Sequence, residues 1–184
     1  MSTEIHPSSS RDVPDSKTDL RAAQHVPIDH HFAFPQFEYS KPIDFQPCIK
    51  MMFFFWKAPE VSWEHFSNHY AHVHSDLTVA AQSFGAFDVK RYTQVHAFPE
   101  LKEKAKGMGY DVADYDGCST LYFKCFDDAQ NFFSSKDHAK LGEDCKHFMD
   151  LSKGVKVMVG QEMICFGKGI PDVDARDGIL ECKH

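Results

Sequence analysis

The stretch KMMFFFWK, from Lys50 to Lys57, places six consecutive large apolar residues between two lysines. A strand that packs on one face only alternates apolar with polar residues, because its other face meets water. This stretch does not alternate, and the proline of the KAPE segment that follows cannot continue a β-ladder. The sequence therefore predicts a strand that is covered on both faces.

The composition excludes several classes of protein. The 184 residues are 42% apolar and carry a net charge of −7 without a basic stripe, so nucleic acid and anionic membrane are not expected partners. No apolar run reaches the length of a signal peptide or a membrane span. Six dispersed cysteines without CxxC spacing are typical of reduced thiols, which favours a cytoplasmic location. The aromatic fraction of 14% predicts a thick core or a pocket lined with rings.

The pattern along the chain predicts four segments. Residues 1–25 are polar and aperiodic and read as a disordered tail. Residues 26–47 combine aromatic residues with four prolines, which predicts an extended arm lying against the domain or a second subunit. Residues 48–167 form the regular domain, and residues 168–184 form a polar C-terminal tail.

Within the domain, the predicted elements follow the order β-α-β-β-α-β. Ser62 is a candidate N-cap for a first helix that runs to about Ser83, and a second helix is expected to break around the SSKDH segment. This order is that of the α+β ferredoxin-like fold, an antiparallel four-stranded sheet with both helices on one face. Because the first strand is apolar on both sides, a second copy is expected to cover the bare face. We therefore predict a homodimeric α+β barrel with a cavity between the two sheets.

Two segments together carry a resemblance to a known family. The first is KMMFFFWKAPEVSWEHFSNHYAHVHSDL, and the second is MGYDVADYDGCSTLYFKCFDDAQNFFSSKDHAKLGEDCKHFMD. They resemble EthD-domain proteins, and more narrowly the fungal branch found among polyketide-tailoring enzymes of secondary metabolism. In the family's first helix a tryptophan is followed four residues later by a histidine, and here Tyr70 and His74 stand at those positions.

The resemblance implies a dimeric α+β barrel that tailors aromatic polyketides, including cofactor-free decarboxylation of acids like atrochrysone carboxylic acid. From the residues themselves, His74 lies at the edge of the apolar stripe of its helix, where partial burial suits an imidazole to general acid/base work. Tyr70 and His138 are predicted to position the oxygens of the substrate. A core histidine bonded to a backbone carbonyl is the alternative for His74.

Other candidates are assigned to the walls and mouth of the pocket. They are predicted to contact the substrate: Phe53, Phe55, His69, His96, Asp116 and Tyr122. Sequence leaves open which face of the first strand lines the pocket, and for Asp116 an Asx-turn is favoured over a role in orienting a histidine. The spacing of His65, His69 and His72 permits a metal pair, but no third ligand is placed, so no metal is predicted.

The resulting prediction is an enzyme, a lyase that decarboxylates an aromatic polyketide without a cofactor. Two alternatives remain open at this stage. One is an oxidoreductase of the same barrel class that uses haem or oxygen, and the other is a carrier that binds a hydrophobic intermediate without chemistry. The expected partners are a small aromatic substrate and a second copy of the chain, with neither nucleic acid nor membrane.

Overall fold

The computed structural model describes residues 24–169 and 177–178, and backbone contacts divide the chain into two units between Pro42 and Ile43. Most of the predicted tails, at residues 1–25 and 168–184, lies outside the described residues. None of the helices in the described part of the chain has the length and apolarity needed to span a bilayer.

The first unit contains most of the aromatic and proline-rich segment. A 3-10 turn spans Pro35–Phe37, with its proline at the start of the turn, where the missing N–H costs nothing. Rings within the segment pack on one another, since the ring centroid of Tyr39 lies 4.8 Å from His25 and 5.1 Å from Phe32. That this arm lies against the domain or against a second subunit stays a prediction.

The second unit contains the strands and the remaining helices. The strands are β1 (Ile49–Phe55), β2 (Val89–His96), β3 (Gly117–Phe123) and β4 (Lys156–Gly160). The helices are α1 (Trp63–Asn68), α2 (Ser75–Ala80), α3 (Gln82–Ala86), α4 (Pro99–Gly107), α5 (Phe126–Phe133) and α6 (Lys136–Cys145), and a π-helical turn (His69–His74) joins α1 to α2. Ser62 caps α1 as predicted, because its Oγ accepts a hydrogen bond from the His65 N–H at 3.0 Å.

The four strands form one antiparallel sheet in the order β2-β3-β1-β4. The two central strands, β1 and β3, come from opposite halves of the chain, and each is flanked by a strand from the other half. This is the strand order of the ferredoxin-like fold, so the predicted fold class is confirmed. The predicted break between the last two helices is also present, since α5 ends at Phe133 and α6 begins at Lys136.

The structure decides which face of β1 meets the helices. Met51 belongs to one core cluster and Phe55 to another, and both clusters include residues of the helices. Phe53 packs against Phe133 of α5 at a centroid distance of 5.1 Å. Met52 and Phe54 therefore lie on the opposite face, because successive side chains of a strand alternate.

The face opposite the helices is only partly covered by the residues that the structure describes. Phe54 packs against Tyr115 at 5.2 Å, yet Val95 and Met158 are 55% and 56% exposed. All five residues of the edge strand β4 are exposed. An unpaired strand edge beside an exposed apolar surface is a template for association with another chain.

Gly117, the first residue of β3, lies against the ring of Phe55 and leaves no room for a side chain. A Cβ at this position would lie 2.6 Å from two ring atoms of Phe55, whose ring is held by Phe66, Tyr70 and Phe148. Because Phe55 is only 2% exposed, the ring cannot move aside.

We expect Gly117→Ala to destabilise the protein by about 1–3 kcal/mol through overpacking. Urea unfolding measures the loss. Gly85→Ala is the matched control, since it adds a methyl group in a helix where nothing lies within 4 Å. Equal stability of both variants would contradict the packing described for Phe55.

Candidate active site

The second unit encloses a cavity of about 390 Å³ between the helices and the sheet face that carries Phe53 and Phe55. Its polar lining comes from a few side chains set among many apolar ones. Three lining residues that are 41–50% exposed mark the opening: Leu151, Val155 and Val157. The sequence predicted a cavity between the two sheets of a dimer, whereas this cavity lies within one chain, on the helix side of the sheet.

A π-helical turn at His69–His74 shapes one wall of this cavity. Residues five apart lie about 140° from each other around an α-helix, so in a regular helix His69 and His74 would face different directions. In a π-helical turn, hydrogen bonds run between residues five apart, which brings the two ends of the turn onto one side. The sequence predicted one regular helix through about Ser83, and that prediction was wrong.

Both histidines bind the same carboxylate on α6. His69 Nε2 lies 2.8 Å from Asp144 Oδ1, and His74 Nδ1 lies 2.9 Å from Asp144 Oδ2. All three side chains are largely buried, with exposures of 14%, 12% and 8%. Because an ionised carboxylate only accepts hydrogen bonds, each imidazole donates to it from the nitrogen named.

His74 is the member of this group that lines the cavity. Since its Nδ1 donates to Asp144, the neutral ring carries its lone pair on Nε2, which has no hydrogen-bond partner among the described residues. Burial lowers the pKa of His74 below its ordinary value of 6.5, and Asp144 partly offsets this by favouring the imidazolium. His74 is therefore a neutral base near neutral pH with a counter-ion in place for its charged form.

A second imidazole and a thiol line another part of the wall. Burial, with a smaller effect from the charge of His74, lowers the pKa of His138, and its Nδ1 is buried without a partner among the described residues. Burial raises the pKa of the Cys145 thiol to about 11, so this group stays protonated. His138 therefore lines the cavity as a neutral ring, and its solvent-inaccessible Nδ1 is not the atom that would meet a ligand there.

Gln94 on β2 holds the π-helical turn in place. Its Nε2 donates to the backbone carbonyl of Tyr70 at 2.9 Å, and the same nitrogen lies 2.7 Å from the Tyr92 hydroxyl. Ser75 Oγ also donates to the Tyr70 carbonyl, at 3.3 Å. The Tyr70 carbonyl thus accepts hydrogen bonds from two side chains, one of which ties the irregular turn to β2.

Tyr70 lies one layer behind the cavity wall. It is fully buried, does not line the cavity, and its hydroxyl lies 2.8 Å from Ser119 Oγ. Burial raises the pKa of Tyr70, which keeps the phenol neutral. Its predicted role in positioning substrate would therefore be exerted through Ser119, which does line the cavity.

Three predicted contact residues lie away from the cavity. His96 packs on Tyr70 at 4.8 Å, and Asp116 binds the Lys57 backbone N–H at 3.0 Å and Lys102 Nζ at 2.8 Å. Tyr122 pairs with Lys50 across the sheet and therefore lies on the face opposite the helices. Of the six, Phe53 and Phe55 line the cavity, whereas His69 acts on Asp144.

The histidine stripe on the first helix has another role. His65 Nε2 donates to the backbone carbonyl of His147 at 3.1 Å, which ties α1 to the end of α6. Among residues 24–169 and 177–178, no group of three His, Cys, Asp or Glu side chains is arranged to hold a metal ion.

Asp144 is the central residue that the sequence argument missed. It follows Leu141 by three residues and precedes Phe148 by four, so it lies on the apolar stripe of its helix. An acidic residue in such a stripe indicates a buried partner, because burying an unpaired carboxylate is costly. Ser119, Thr78 and Gln94 gave no comparable signal.

Three buried histidines make the stability of the fold depend on pH. Burial is the main cause of the lowered pKa of His74, His96 and His138. A lowered folded-state pKa means that the unfolded chain binds protons more readily, so stability is complete above about pH 6.5 and is lost as the pH falls through the folded values.

Scanning calorimetry between pH 7.5 and pH 5 is therefore expected to show a falling Tm, with a shallower slope for His96→Gln. A Tm that rises on acidification would contradict these assignments.

Comparison with known proteins places the chain in a family. The EthD domain matches residues 58–152, which is more than half of the 184 residues. The chain belongs to the EthD family. The match spans α1 to α6 and so includes the whole His69, His74 and Asp144 group. No curated protein matches the sequence.

Several solved structures are similar to this EthD protein, all at low identity. An ethyl tert-butyl ether d (EthD) family protein from Bacillus halodurans C-125 is 17% identical, covers 63% of this chain and 99% of its own, and has a TM-score of 0.44. A dimeric ferredoxin-like protein of unknown function from Bacteroides fragilis NCTC 9343 is 12% identical, covers 64% of this chain and 99% of its own, and has a TM-score of 0.42. A hydroxynitrile lyase from Passiflora edulis is 13% identical, covers 66% of this chain and 95% of its own, and has a TM-score of 0.37. The fold assignment rests on the strand order of this chain.

Proposed function

We propose that this protein is a cofactor-independent lyase that decarboxylates an aromatic polyketide acid, with His74 as the residue that moves the proton. The observation that carries the proposal is the pairing of His74 with Asp144 at the wall of an apolar cavity. A neutral imidazole with a buried carboxylate behind it is a general base that becomes a general acid after one proton transfer.

The reaction needs one proton, which His74 takes and returns. Nε2 accepts the proton of the substrate carboxyl group, and Asp144 stabilises the resulting imidazolium. The bond between the ring carbon and the carboxylate then breaks, CO2 leaves, and the electron pair moves into an adjacent carbonyl to form an enolate. The imidazolium returns its proton to the ring carbon, which restores neutral His74 and leaves a product with hydrogen in place of the carboxyl group.

The lining of the cavity supports a flat aromatic substrate. Phe53, Phe55, Phe132 and Phe133 supply aromatic wall on the sheet and on α5. A volume of about 390 Å³ lies at the lower end of the range found for small-molecule sites, which suits a molecule of a few fused rings. The apolar wall also disfavours the charged carboxylate relative to the more delocalised enolate.

The protein is further proposed to be a homodimer that pairs through the face opposite the helices. The exposed Val95 and Met158 on this face and the exposed edge strand β4 support it.

Light scattering is expected to give twice the 21.0 kDa mass of the chain. Met158→Glu is expected to reduce that mass to the value of one chain, because it places a charge on the apolar face. Leu101→Glu, at a 55% exposed helix position, is the control that should leave it unchanged. A wild-type monomer would contradict the dimer.

The function is tested by incubating the protein with a panel of aromatic polyketide carboxylic acids under nitrogen and under air, and measuring CO2. Equal CO2 release in both atmospheres supports the lyase. Turnover that requires oxygen would instead indicate an oxidoreductase, and saturable binding without product would indicate a carrier. Either of these two results would overturn the proposal.

A further inference from the structure

A group of hydroxyls lies at the end of the cavity next to His74. Tyr92, Ser119 and Thr78 line it, and Thr78 follows His74 by one helical turn, with its Oγ1 donating to the His74 carbonyl at 2.6 Å. The decarboxylation described above uses none of these three hydroxyls. Their arrangement determines which of them has a proton to give to a ligand.

The orientation of the Gln94 amide fixes the role of the Tyr92 oxygen. Gln94 Nε2 must be the donor to the Tyr70 carbonyl, because a carbonyl only accepts, and its Oε1 lies 3.3 Å from His96 Nε2. The same Nε2 therefore donates its second hydrogen to the Tyr92 hydroxyl at 2.7 Å. Since the Tyr92 oxygen is already an acceptor, its own O–H is directed elsewhere.

The neighbours of that O–H leave it available to a ligand. The hydroxyls beside it are those of Ser75, Thr78 and Ser119, and the first two have donated their protons to backbone carbonyls. Burial raises the pKa of Tyr92, so the phenol keeps its proton at neutral pH. Without a ligand, the Tyr92 O–H can donate to one of these neutral hydroxyls. When a ligand oxygen that carries more charge is present, the O–H can rotate and donate to that oxygen instead, because a charged acceptor forms the stronger hydrogen bond.

Ser119 supplies a second donor by a similar argument. The Tyr70 hydroxyl is fully buried and has no partner other than Ser119 Oγ among the described residues. If Ser119 donated to it, the Tyr70 proton would be left buried and unpaired, which costs more than the reverse arrangement. Tyr70 is therefore the donor, and the Ser119 proton is free to point into the cavity.

We propose that Tyr92 and Ser119 form an oxyanion site that donates two hydrogen bonds to the substrate oxygen on which negative charge develops. This inference deepens the proposed function and rests on it for the identity of the reaction. Two fixed donors beside the base at His74 would place the enolate oxygen within reach of both, so that the electron pair released with CO2 is stabilised where it arrives.

The kinetic test separates this role from simple binding. Tyr92→Phe keeps the ring and removes the donor, and it is expected to lower kcat on the polyketide acid about 10²–10³-fold with little change in KM. Ser119→Ala is expected to act in the same direction. Tyr122→Phe, on the opposite face of the sheet, is the matched control and should retain the wild-type kcat. A raised KM with unchanged kcat for Tyr92→Phe would overturn the inference.

A binding measurement tests the same site without any turnover. The probe is 2-hydroxyanthraquinone, whose phenol and phenolate absorb at different wavelengths. Its pKa when bound is expected to be lower in the wild type and in Tyr122→Phe than in Tyr92→Phe, because the donor favours the phenolate. Equal bound pKa values in all three would contradict the oxyanion site. If the bound pKa shifts as expected while no acid is decarboxylated, the proposed function fails and the oxyanion site stands.

Discussion

His74→Asn is expected to lower kcat by about 10²–10⁴-fold, the usual contribution of a general acid/base. Asparagine keeps a polar group beside Asp144 but cannot take up a proton and return it. The substituted side chain lies at a cavity wall, and the core clusters around Phe55 and Leu121 do not include it, so the fold is expected to persist. Steady-state kinetics of CO2 release measures the effect, with circular dichroism as the check on folding.

His72→Asn is the matched control for this substitution. His72 lies in the same π-helical turn but is exposed to solvent. It is expected to keep the wild-type kcat, which separates loss of the acid/base from disturbance of the turn. If His74→Asn retained wild-type turnover, or if both variants lost activity equally, the assignment of His74 would be wrong.

Asp144→Asn is expected to lower kcat by roughly 10²–10⁴-fold, although Asp144 does not line the cavity. The amide has one oxygen and cannot accept hydrogen bonds from both His69 Nε2–H and His74 Nδ1–H as the carboxylate does, so the tautomer of His74 is no longer fixed and its imidazolium loses a counter-ion. Asp144 is thus a positioning residue that acts through His74. The drop in kcat is measured under the same conditions as for His74→Asn.

The pH profile gives a readout that a purely structural role for Asp144 would not change. Asp144 raises the pKa of His74, whereas burial and His69 lower it. Removing the carboxylate therefore lowers the pKa of His74 further, and the acidic limb of kcat/KM, where the base becomes protonated, is expected to move to lower pH. A limb that moves to higher pH, or does not move, would contradict the coupling of these two residues.

The fold was predictable because its signals are repeated and local. The four apolar strands, the cap at Ser62 and the break before Lys136 each follow from short patterns, and their order alone specifies the sheet. The face of β1 was not predictable, since all six residues from Met51 to Trp56 are apolar. The contacts of Met51, Phe53 and Phe55 with residues of the helices decide it.

The site was predictable only in part, because some of its contacts depend on irregular structure rather than on local patterns. His74, His138, Phe53 and Phe55 were chosen from helix edges and strand apolarity, and all four line the cavity, while their roles toward a substrate stay predictions. Regular helix geometry gave no reason to pair His69 with His74. That pairing depends on the π-helical turn, in which the backbone carbonyl of Tyr70 accepts a hydrogen bond from Gln94 on β2.

Tyr122 shows a different limit of the sequence argument. It was chosen as a phenol near a predicted pocket, but its face follows from the pairing of β3 with β1, which sets it opposite Lys50 rather than Phe53. The register between strands is a tertiary property, and a one-residue change moves a side chain to the other face.

The central claim is that His74 presents an unprotonated Nε2 to the cavity because its Nδ1–H is held by Asp144. Long-range ¹H–¹⁵N NMR of the histidine rings tests this directly, with His74→Asn identifying the resonance. The account predicts a neutral His74 with its proton on Nδ1 at pH 7, titrating below 6.5 and shifting when an aromatic acid binds. A proton on Nε2, or a His74 that titrates above 6.5, would contradict it.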